Sequence, residues 1–175
     1  VSSTIDGYEA DDVLGTLASK AAVSGFTTTI LTSDYDLLQV VSPTTEVALL
    51  SQYWNKMTFD VTAVREKFSG LAPENIPDYK ALVGDKSDNL PGVPGIGAVS
   101  TTVMLAHYGN LDDLYENLGS ISNMSLRGAK RVIRLLKEHQ EQAFLMRTLA
   151  TIVCDVPVDI PIDKALVKKS NVHAM

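Results

Sequence analysis

The pattern of the chain changes near residue 76, and this change constrains the fold more than any other feature of the sequence. Before it, apolar residues at helical spacing over Glu9–Ser24 are followed by Gly25 and by the β-branched run Thr27–Leu31. This order predicts a helix and then a short buried strand. Helix followed by strand is half of a βαβ unit, which favours a parallel sheet and an α/β fold.

Two further strands are predicted over Glu46–Leu50 and Lys56–Phe59, and Asp60 is a candidate cap for a helix that runs through Phe68. After residue 76 strand patterns vanish, and glycine and proline cluster between residues 90 and 97. The second part is therefore predicted to be helical, with helices over Ile76–Gly84, Val99–Tyr108, Leu111–Leu118, Leu126–Lys137 and Glu138–Leu149.

These patterns divide the 175 residues into a partial α/β catalytic core (1–75), a helical region (76–158) and a tail or linker (159–175). Apolar residues make up 45% and charged residues 21%, which is typical of a globular protein and excludes a disordered chain. No apolar run approaches the ~18 residues of a membrane span. The single cysteine, Cys154, excludes an intrachain disulfide, favours a reducing cytoplasm and is expected to be a buried apolar thiol.

The net charge of −6 argues against a nucleic-acid-binding protein, but the distribution of charge reverses that conclusion. The segment 127–137 carries five basic residues and no acidic one. Four of the five recur at i, i+3, i+4 and i+7, on one face of a predicted helix, and they are Arg127, Lys130, Arg131 and Arg134. Such a face is either an ordinary solvated surface or a contact for an anion.

Three acidic clusters lie at the ends of predicted elements rather than in their middles. Each has an ordinary explanation alone, because carboxylates favour helix N-termini and turns. If the clusters converge, their repulsion requires cations, and oxygen ligands without nearby cysteine or histidine favour Mg²⁺ or Mn²⁺. Two such ions suit phosphoryl transfer. The candidate ligands are Glu9, Asp11, Asp12, Asp34, Asp36, Asp85 and Asp88.

The glycine-rich run from Gly92 to Gly97, placed directly before a predicted helix, resembles the turn of a helix–hairpin–helix motif. Glycines let the backbone approach a phosphate, and the helix start leaves N–H groups free. The turn would hold a DNA backbone without reading bases, and a plain interhelical loop is the alternative. The candidate DNA contacts in and near the run are Lys86, Gly92, Val93, Gly95, Ile96, Gly97 and Ser100.

The motifs, in their order and spacing, resemble the 5′-nuclease (flap endonuclease-type) family, in particular the 5′→3′ exonuclease domain of bacterial DNA polymerase I. The resemblance runs from about Gly7 to Val158 and rests on the segments Gly7–Asp12, Thr32–Gln39 and Asp78–Gly97. It implies the C-terminal part of a parallel-sheet, PIN-like nuclease core, followed by a helix–three-turn–helix that grips duplex DNA behind the cut.

The resemblance also implies two Mg²⁺ or Mn²⁺ ions. Glu9 and Asp11 would serve the first, with Asp12 acting through water, and the second would take the four later aspartates Asp34, Asp36, Asp85 and Asp88. The turn would add a K⁺ site. The implied substrate is duplex DNA with a 5′ flap or 5′ end, in replication and repair on the bacterial nucleoid of the cytoplasm, and a polymerase domain in the parent chain stays an open question.

Two departures from the family matter. The family carries a further segment before the first motif, with the first strand, two more aspartates and a basic helical arch, so we expect this chain to be a piece of a longer protein. Val99 stands where the family usually has a lysine, which predicts a weaker, less salt-dependent grip on DNA.

Two alternatives to a nuclease remain open at this point. One is a catalytically incomplete DNA-binding half-domain, and the other is a phosphatase that uses Asp34 and Asp36 as a nucleophile pair.

Overall fold

The computed structural model describes residues 5–50 and 56–162. Its first part is α/β, as expected, and is built from one helix, three strands and a second, shorter helix. In chain order these elements are α1 (Ala10–Val23), β1 (Thr28–Thr32), a 3₁₀ helix (Asp36–Val40), β2 (Thr45–Leu50), β3 (Lys56–Phe59) and α2 (Val61–Lys67).

Both helices of this part begin where the sequence provides a cap. Glu9 is the extended N-cap residue of α1, and its backbone N–H donates to the Asp12 carboxylate at 3.0 Å. Asp60 caps α2 by accepting a hydrogen bond from the Ala63 N–H at 2.8 Å. These bonds satisfy donors that a helix start leaves without intrahelical partners, so the caps fix both starting points. Gly25, with φ of +80°, follows the end of α1.

The three strands form a mixed sheet in the order β1-β2-β3. β1 and β2 are parallel, with Thr28 opposite Thr45, whereas β2 and β3 are antiparallel, with Val47 opposite Phe59. The expectation of a parallel sheet therefore holds for the first pair only. The connection from β2 to β3 is too short for the crossover that a parallel pair requires, which explains the reversal.

β1 is less buried than the sequence predicts. Ile30 is buried against the apolar core beneath α1, but the side chain of Leu31 is 61% exposed. Among the described strands β1 lies at the sheet edge, with a hydrogen-bonded neighbour on one side only. A β-branched run in the sequence predicts a strand without predicting how many of its sides are covered, so the prediction of a buried strand is wrong.

The second part is helical, and strands are absent from residues 76–162. α3 contacts both α4 and α7, so it forms the centre of this part. The core beneath these helices includes Met104, Leu105 and Leu114, all of them fully buried. The helices are α3 (Ile76–Val83), α4 (Ala98–Tyr108), α5 (Leu111–Glu116), α6 (Ala129–Glu138) and α7 (Gln140–Ala150), with 3₁₀ turns at Pro73–Asn75 and Leu118–Asn123.

α6 begins three residues later than the sequence predicts. Gly128 adopts a left-handed conformation with φ of +75°, which breaks the helical path ahead of Ala129. Arg127 consequently lies before the helix and not on its face. Val132 and Leu136 are buried in the helical core, as their spacing predicts.

After α7 the chain returns to the α/β part. Val156 and Val158 pack against Val13 of α1, and the Val156 N–H donates to the buried Thr16 hydroxyl at 3.1 Å. Cys154 is exposed, so the prediction of a buried thiol is wrong. Along this segment Val156 and Val158 are buried, whereas Asp155 and Pro157 are exposed. Most of the predicted tail, residues 163–175, lies outside the described residues.

Within the described ranges, every helix falls short of the combination of length and apolar character that crossing a membrane requires.

Candidate metal centre

Three aspartates from two distant segments meet at one point of the structure. Asp36 begins the 3₁₀ helix that follows β1, and Asp85 and Asp88 lie in the loop after α3. One carboxylate oxygen from each lies within 4.8 Å of the other two, and we call this group the acidic triad. Oxygens at this spacing can share one cation, and an all-carboxylate donor set fits a hard divalent ion.

Local hydrogen bonds set the direction of the loop that carries Asp34 and Asp36. The Asp34 N–H donates to the Thr32 hydroxyl at 3.0 Å, and the Asp36 N–H donates to the Asp34 carboxylate at 2.9 Å. The next two residues, Leu37 and Leu38, are fully buried. The apolar anchor and the turn together hold both carboxylates at the carboxyl end of β1, where sites in α/β sheets form.

The loop that carries Asp85 and Asp88 is closed at its base. Asp85 and Leu90 exchange two backbone hydrogen bonds, at 2.8 and 2.7 Å. Gly84, with φ of +86°, precedes the loop, and a Cβ at this position would lie 2.7 Å from the Leu90 carbonyl oxygen. Glycine is therefore required there for two reasons, the left-handed conformation and the close approach of the backbone.

The sequence analysis assigned no role to Lys80, which lies at the centre of this group. Its ammonium contacts the Asp36 carboxylate and lies 2.7 Å from Asp85 Oδ2 and 3.4 Å from Asp88 Oδ2. The residue is 7% exposed. A signal existed in the sequence: Lys80 follows the buried Ile76 by one helical turn, on the face of α3 that points inward.

One lysine compensates the three carboxylates unequally. Burial, together with Asp88 and Asp34, raises the pKa of Asp36 to about 6 although Lys80 opposes the shift. Burial also acts to raise the pKa of Asp85, but hydrogen bonds from Lys80 and Ser87 outweigh it and lower the value to about 2. The pKa of Lys80 is raised, because its bonds to Asp36 and Asp85 outweigh the cost of burial. The single positive charge of Lys80 therefore leaves part of the negative charge of the triad uncompensated.

Asp11 connects the first acidic cluster to the other two. Burial raises the pKa of its carboxyl, and the charges of Asp34, Glu9, Asp12 and Asp88 raise it further. The environment of Asp11 therefore includes charges from both later clusters. Among the described residues, the geometry brings together three of the seven candidate ligands, Asp36, Asp85 and Asp88.

Asp12 and Glu9, unlike Asp11, have a structural role at the start of α1. Both carboxylate oxygens of Asp12 accept backbone hydrogen bonds, one from Glu9 and one from Val153 at 2.8 Å. Glu9 is exposed at the N-cap of α1. Both residues thus fit the general preference of carboxylates for helix N-termini, alongside any role toward a metal.

The glycine turn, Gly92–Gly97, is divided between buried and exposed positions. A Cβ at Gly92 would lie 2.4 Å from the Gly84 nitrogen, so this glycine permits the turn to pack against the end of α3. Val93 and Ile96 are buried in the helical core. Of the predicted DNA contacts, Val93 and Ile96 therefore have side chains that face the core, and Gly92 is buried as well. Gly95 and Gly97 are exposed.

The basic face of α6 adjoins the exposed part of the turn. A Cβ at Gly95 would lie 2.9 Å from a guanidinium nitrogen of Arg131, so the arginine lies directly over this glycine. We call the exposed residues Lys130, Arg131 and Arg134 the basic face. Arg134 lies 3.5 Å from Glu138, which offsets part of its charge.

The remaining predicted DNA contacts lie around the turn. Ser100 is half-buried in the first turn of α4, where the N–H groups have no intrahelical acceptor. Lys86 is exposed in the acidic loop, and Arg127 is exposed ahead of α6. Val99, in the position discussed as a lost lysine, is 79% exposed.

Comparison with known families identifies the two parts of the chain. Residues 2–69 match the family model of the 5′-3′ exonuclease N-terminal resolvase-like domain, and residues 71–173 match that of the 5′-3′ exonuclease C-terminal SAM fold. The chain belongs to the 5′-3′ exonuclease family. The family resemblance and the fold inferred from the sequence motifs are confirmed.

Curated relatives of this family include both long and short proteins. DNA polymerase I of Chloroflexus aurantiacus is 42% identical over 165 residues, which is 93% of this chain and 17% of that protein. A 5′-3′ exonuclease of Buchnera aphidicola (subspecies Acyrthosiphon pisum) is 36% identical over 166 residues, 95% of this chain and 57% of that protein. The chain thus spans just over half of the shorter relative and under a fifth of the longer one.

Solved structures with this fold include T5 5′-exonuclease with bound divalent zinc ions, at a TM-score of 0.70 and 22% identity, covering 86% of this chain and 52% of that one. A T5 flap endonuclease in complex with DNA and metal ions matches equally well, with the same TM-score and coverage. These 5′-3′ exonuclease structures confirm the fold. Both neighbours are described with bound metal ions, zinc in the first and metal ions beside DNA in the second.

Proposed function

We propose that this chain supplies the metal-binding and duplex-gripping parts of a 5′→3′ exonuclease that also cuts 5′ flaps, acting on DNA in replication and repair in the bacterial cytoplasm. The observation that carries the proposal is the convergence of acidic residues from distant segments. Asp36, Asp85 and Asp88 offer three oxygens within 4.8 Å, and Asp11 lies in their electrostatic field.

The acidic triad fits one hard divalent cation, Mg²⁺ or Mn²⁺, and we propose a second ion beside Asp11. The acidic triad with Asp34 would hold one ion, and Asp11 with Glu9 and Asp12 would serve the other. Bound there, the ions would supply Lewis-acid stabilisation of the phosphate and a water of lowered pKa. The protein's own part is to hold the carboxylates in fixed positions, and no side-chain nucleophile is required.

The duplex would lie along the glycine turn and the basic face. N–H groups at the start of α4 suit a phosphate, and Arg131 adds a cation directly over Gly95. Contacts of this kind position a duplex without reading its sequence. Lys86 is an additional candidate for a phosphate contact, and the turn is the candidate place for K⁺.

Cleavage of a 5′-labelled flap duplex tests the proposal, with Mg²⁺ or Mn²⁺ compared against EDTA. We expect metal-dependent release of the labelled flap from a protein that spans the length of the shorter relatives. Asp34→Asn and Asp88→Asn should each abolish release. Cleavage that survives either substitution, or that persists in EDTA, would contradict a metal-dependent site at these residues.

A second candidate function is a DNA-binding half-domain without its own activity. It is favoured by one observation, that the Lys80 ammonium lies among the three carboxylates of the acidic triad, where a metal ion would bind. In the 175-residue chain itself, binding of the flap duplex without release in Mn²⁺ would support this candidate. Hydrolysis of a small phosphomonoester that is abolished by Asp34→Asn and indifferent to Asp88→Asn would instead support the phosphatase alternative.

A further inference from the structure

Lys80 occupies the place in the acidic triad that a shared cation would take. Its ammonium touches Asp36 and lies 2.7 and 3.4 Å from oxygens of Asp85 and Asp88. These are the same three residues whose oxygens lie within 4.8 Å of one another. A divalent ion bound by all three and an ammonium in contact with all three would require the same space and the same negative charge.

The lysine is held in this place by the fold. It projects from α3 one helical turn after the fully buried Ile76, and it is 7% exposed. An ammonium at such a site is stable only when paired, because an isolated charge would not recover its lost hydration. The three carboxylates equally depend on a cation, since their oxygens would otherwise repel one another across less than 5 Å.

We propose that Lys80 is a built-in competitor for the divalent cation at the acidic triad, so that metal binds there only by displacing the ammonium. This inference rests on the proposed metal site and adds a regulation to it. The lysine keeps the triad folded at low metal concentration, and it sets a higher metal concentration for occupancy than three carboxylates alone would require. Lys80 acts through the carboxylates that it shares with the metal.

The first test measures Mn²⁺ binding to the 175-residue chain by the electron paramagnetic resonance signal of free Mn²⁺. Lys80→Met removes the charge and keeps most of the side-chain length, so we expect Mn²⁺ to bind at least about tenfold more tightly, because one opposing unit charge a few ångströms away is gone. Lys80→Arg keeps the charge and should leave the affinity within about threefold of the original.

Lys137→Met is the matched control, because Lys137 is exposed on α6 and lies outside the acidic loop. Screening by solvent should limit its effect to less than about threefold. Equal affinity in the original chain and in Lys80→Met would overturn the inference while leaving a metal site intact. Weaker binding in Lys80→Met would overturn it as well, since it would show that the lysine organises the ligands without competing. Absence of Mn²⁺ binding from both chains would overturn the metal site and the inference together.

The second test needs no substitution and so does not depend on whether Lys80→Met folds. Reductive methylation of the original chain, followed by peptide mass spectrometry, compares the labelling rate of Lys80 in saturating Mn²⁺ and in EDTA. Displacement from the triad should raise the rate at Lys80 at least about fivefold, and the exposed Lys130 should be unaffected. A rate at Lys80 that does not change while Mn²⁺ is bound would show that metal and ammonium do not compete.

Discussion

Asp85 and Asp88 of the acidic triad directly precede the glycine turn in the chain, but the triad and the turn are built in opposite ways. The triad is assembled from distant parts of the sequence, Asp36 on one side and Asp85 and Asp88 on the other, and its members repel one another. The glycine turn is contiguous, and its geometry depends on backbone conformation and close packing. The comparison teaches that the triad can bring like charges together because the Lys80 ammonium lies among them. The glycine turn has no such compensation, since its close packing leaves no room for an added atom.

The largest expected effect breaks the turn. Gly92→Ala places a Cβ 2.4 Å from the Gly84 nitrogen at a φ of +62°, so we expect a loss of about 4 kcal/mol in the free energy of unfolding. Urea denaturation followed by circular dichroism measures this loss. Gly119→Ala is the control, because a Cβ there meets nothing within 4 Å. A Gly92→Ala chain as stable as the control would show that the turn can move away from α3.

The next largest effect comes from a substitution in the triad that leaves the protein folded. Asp88→Asn, in a protein of the length of the shorter relatives, should reduce flap cleavage at least about a hundredfold by removing a metal ligand. Its thermal midpoint in EDTA should stay the same or rise, because a repelling charge is lost. Glu116→Gln, an exposed acid far along the chain, serves as the control. A fall in stability that matched the loss of cleavage would assign Asp88 a structural role instead.

A smaller effect separates the two regions by their salt dependence. Arg131→Gln combined with Arg134→Gln should weaken binding to duplex DNA and reduce the slope of log affinity against log salt by about 1 to 2. The lower figure allows for the Glu138 partner of Arg134. Fluorescence anisotropy at several salt concentrations gives the slope, and Arg65→Gln on α2 provides a matched exposed control. An unchanged slope would remove the basic face from the DNA surface.

The smallest effect concerns the protonation of the triad. The pKa of Asp36 is raised from 3.8 to about 6, so the folded state holds this proton more strongly than the unfolded chain does. The stability that results is fully present below about pH 4 and is lost as pH rises through 6. Asp36→Asn should remove this decline, which we expect to be about 1 kcal/mol after allowance for solvent screening.

Urea denaturation in EDTA between pH 4 and pH 7 compares the two chains. The informative quantity is the difference between their slopes, because other carboxyls with raised pKa values, such as Asp11 and Asp78, contribute equally to both. The lowered pKa of Asp85, about 2, leaves that residue ionised throughout the range. Parallel slopes would show that Lys80 compensates Asp36 more fully than the burial of Asp36 suggests.

Much of the fold followed from local patterns in the sequence. The predicted starts at Glu9 and Asp60 are confirmed, because capping involves residues only three apart. The late start of α6 was missed because Gly128 takes a left-handed conformation that an apolar repeat does not report. The antiparallel β3 was also missed, since the spacing of apolar residues contains no information on which strand pairs with which.

The candidate site was likewise predictable where it depends on local sequence and not where it depends on tertiary contacts. By itself the sequence determined the three acidic motifs and the glycine-rich turn, and hence the family, because these are properties of residue type and short spacing. Only the tertiary structure decided that Lys80 lies among the aspartates, that Val93 and Ile96 face the core, and that Arg131 lies over Gly95. Each of these depends on contacts between segments far apart in the chain, and the packing of whole elements fixes such contacts.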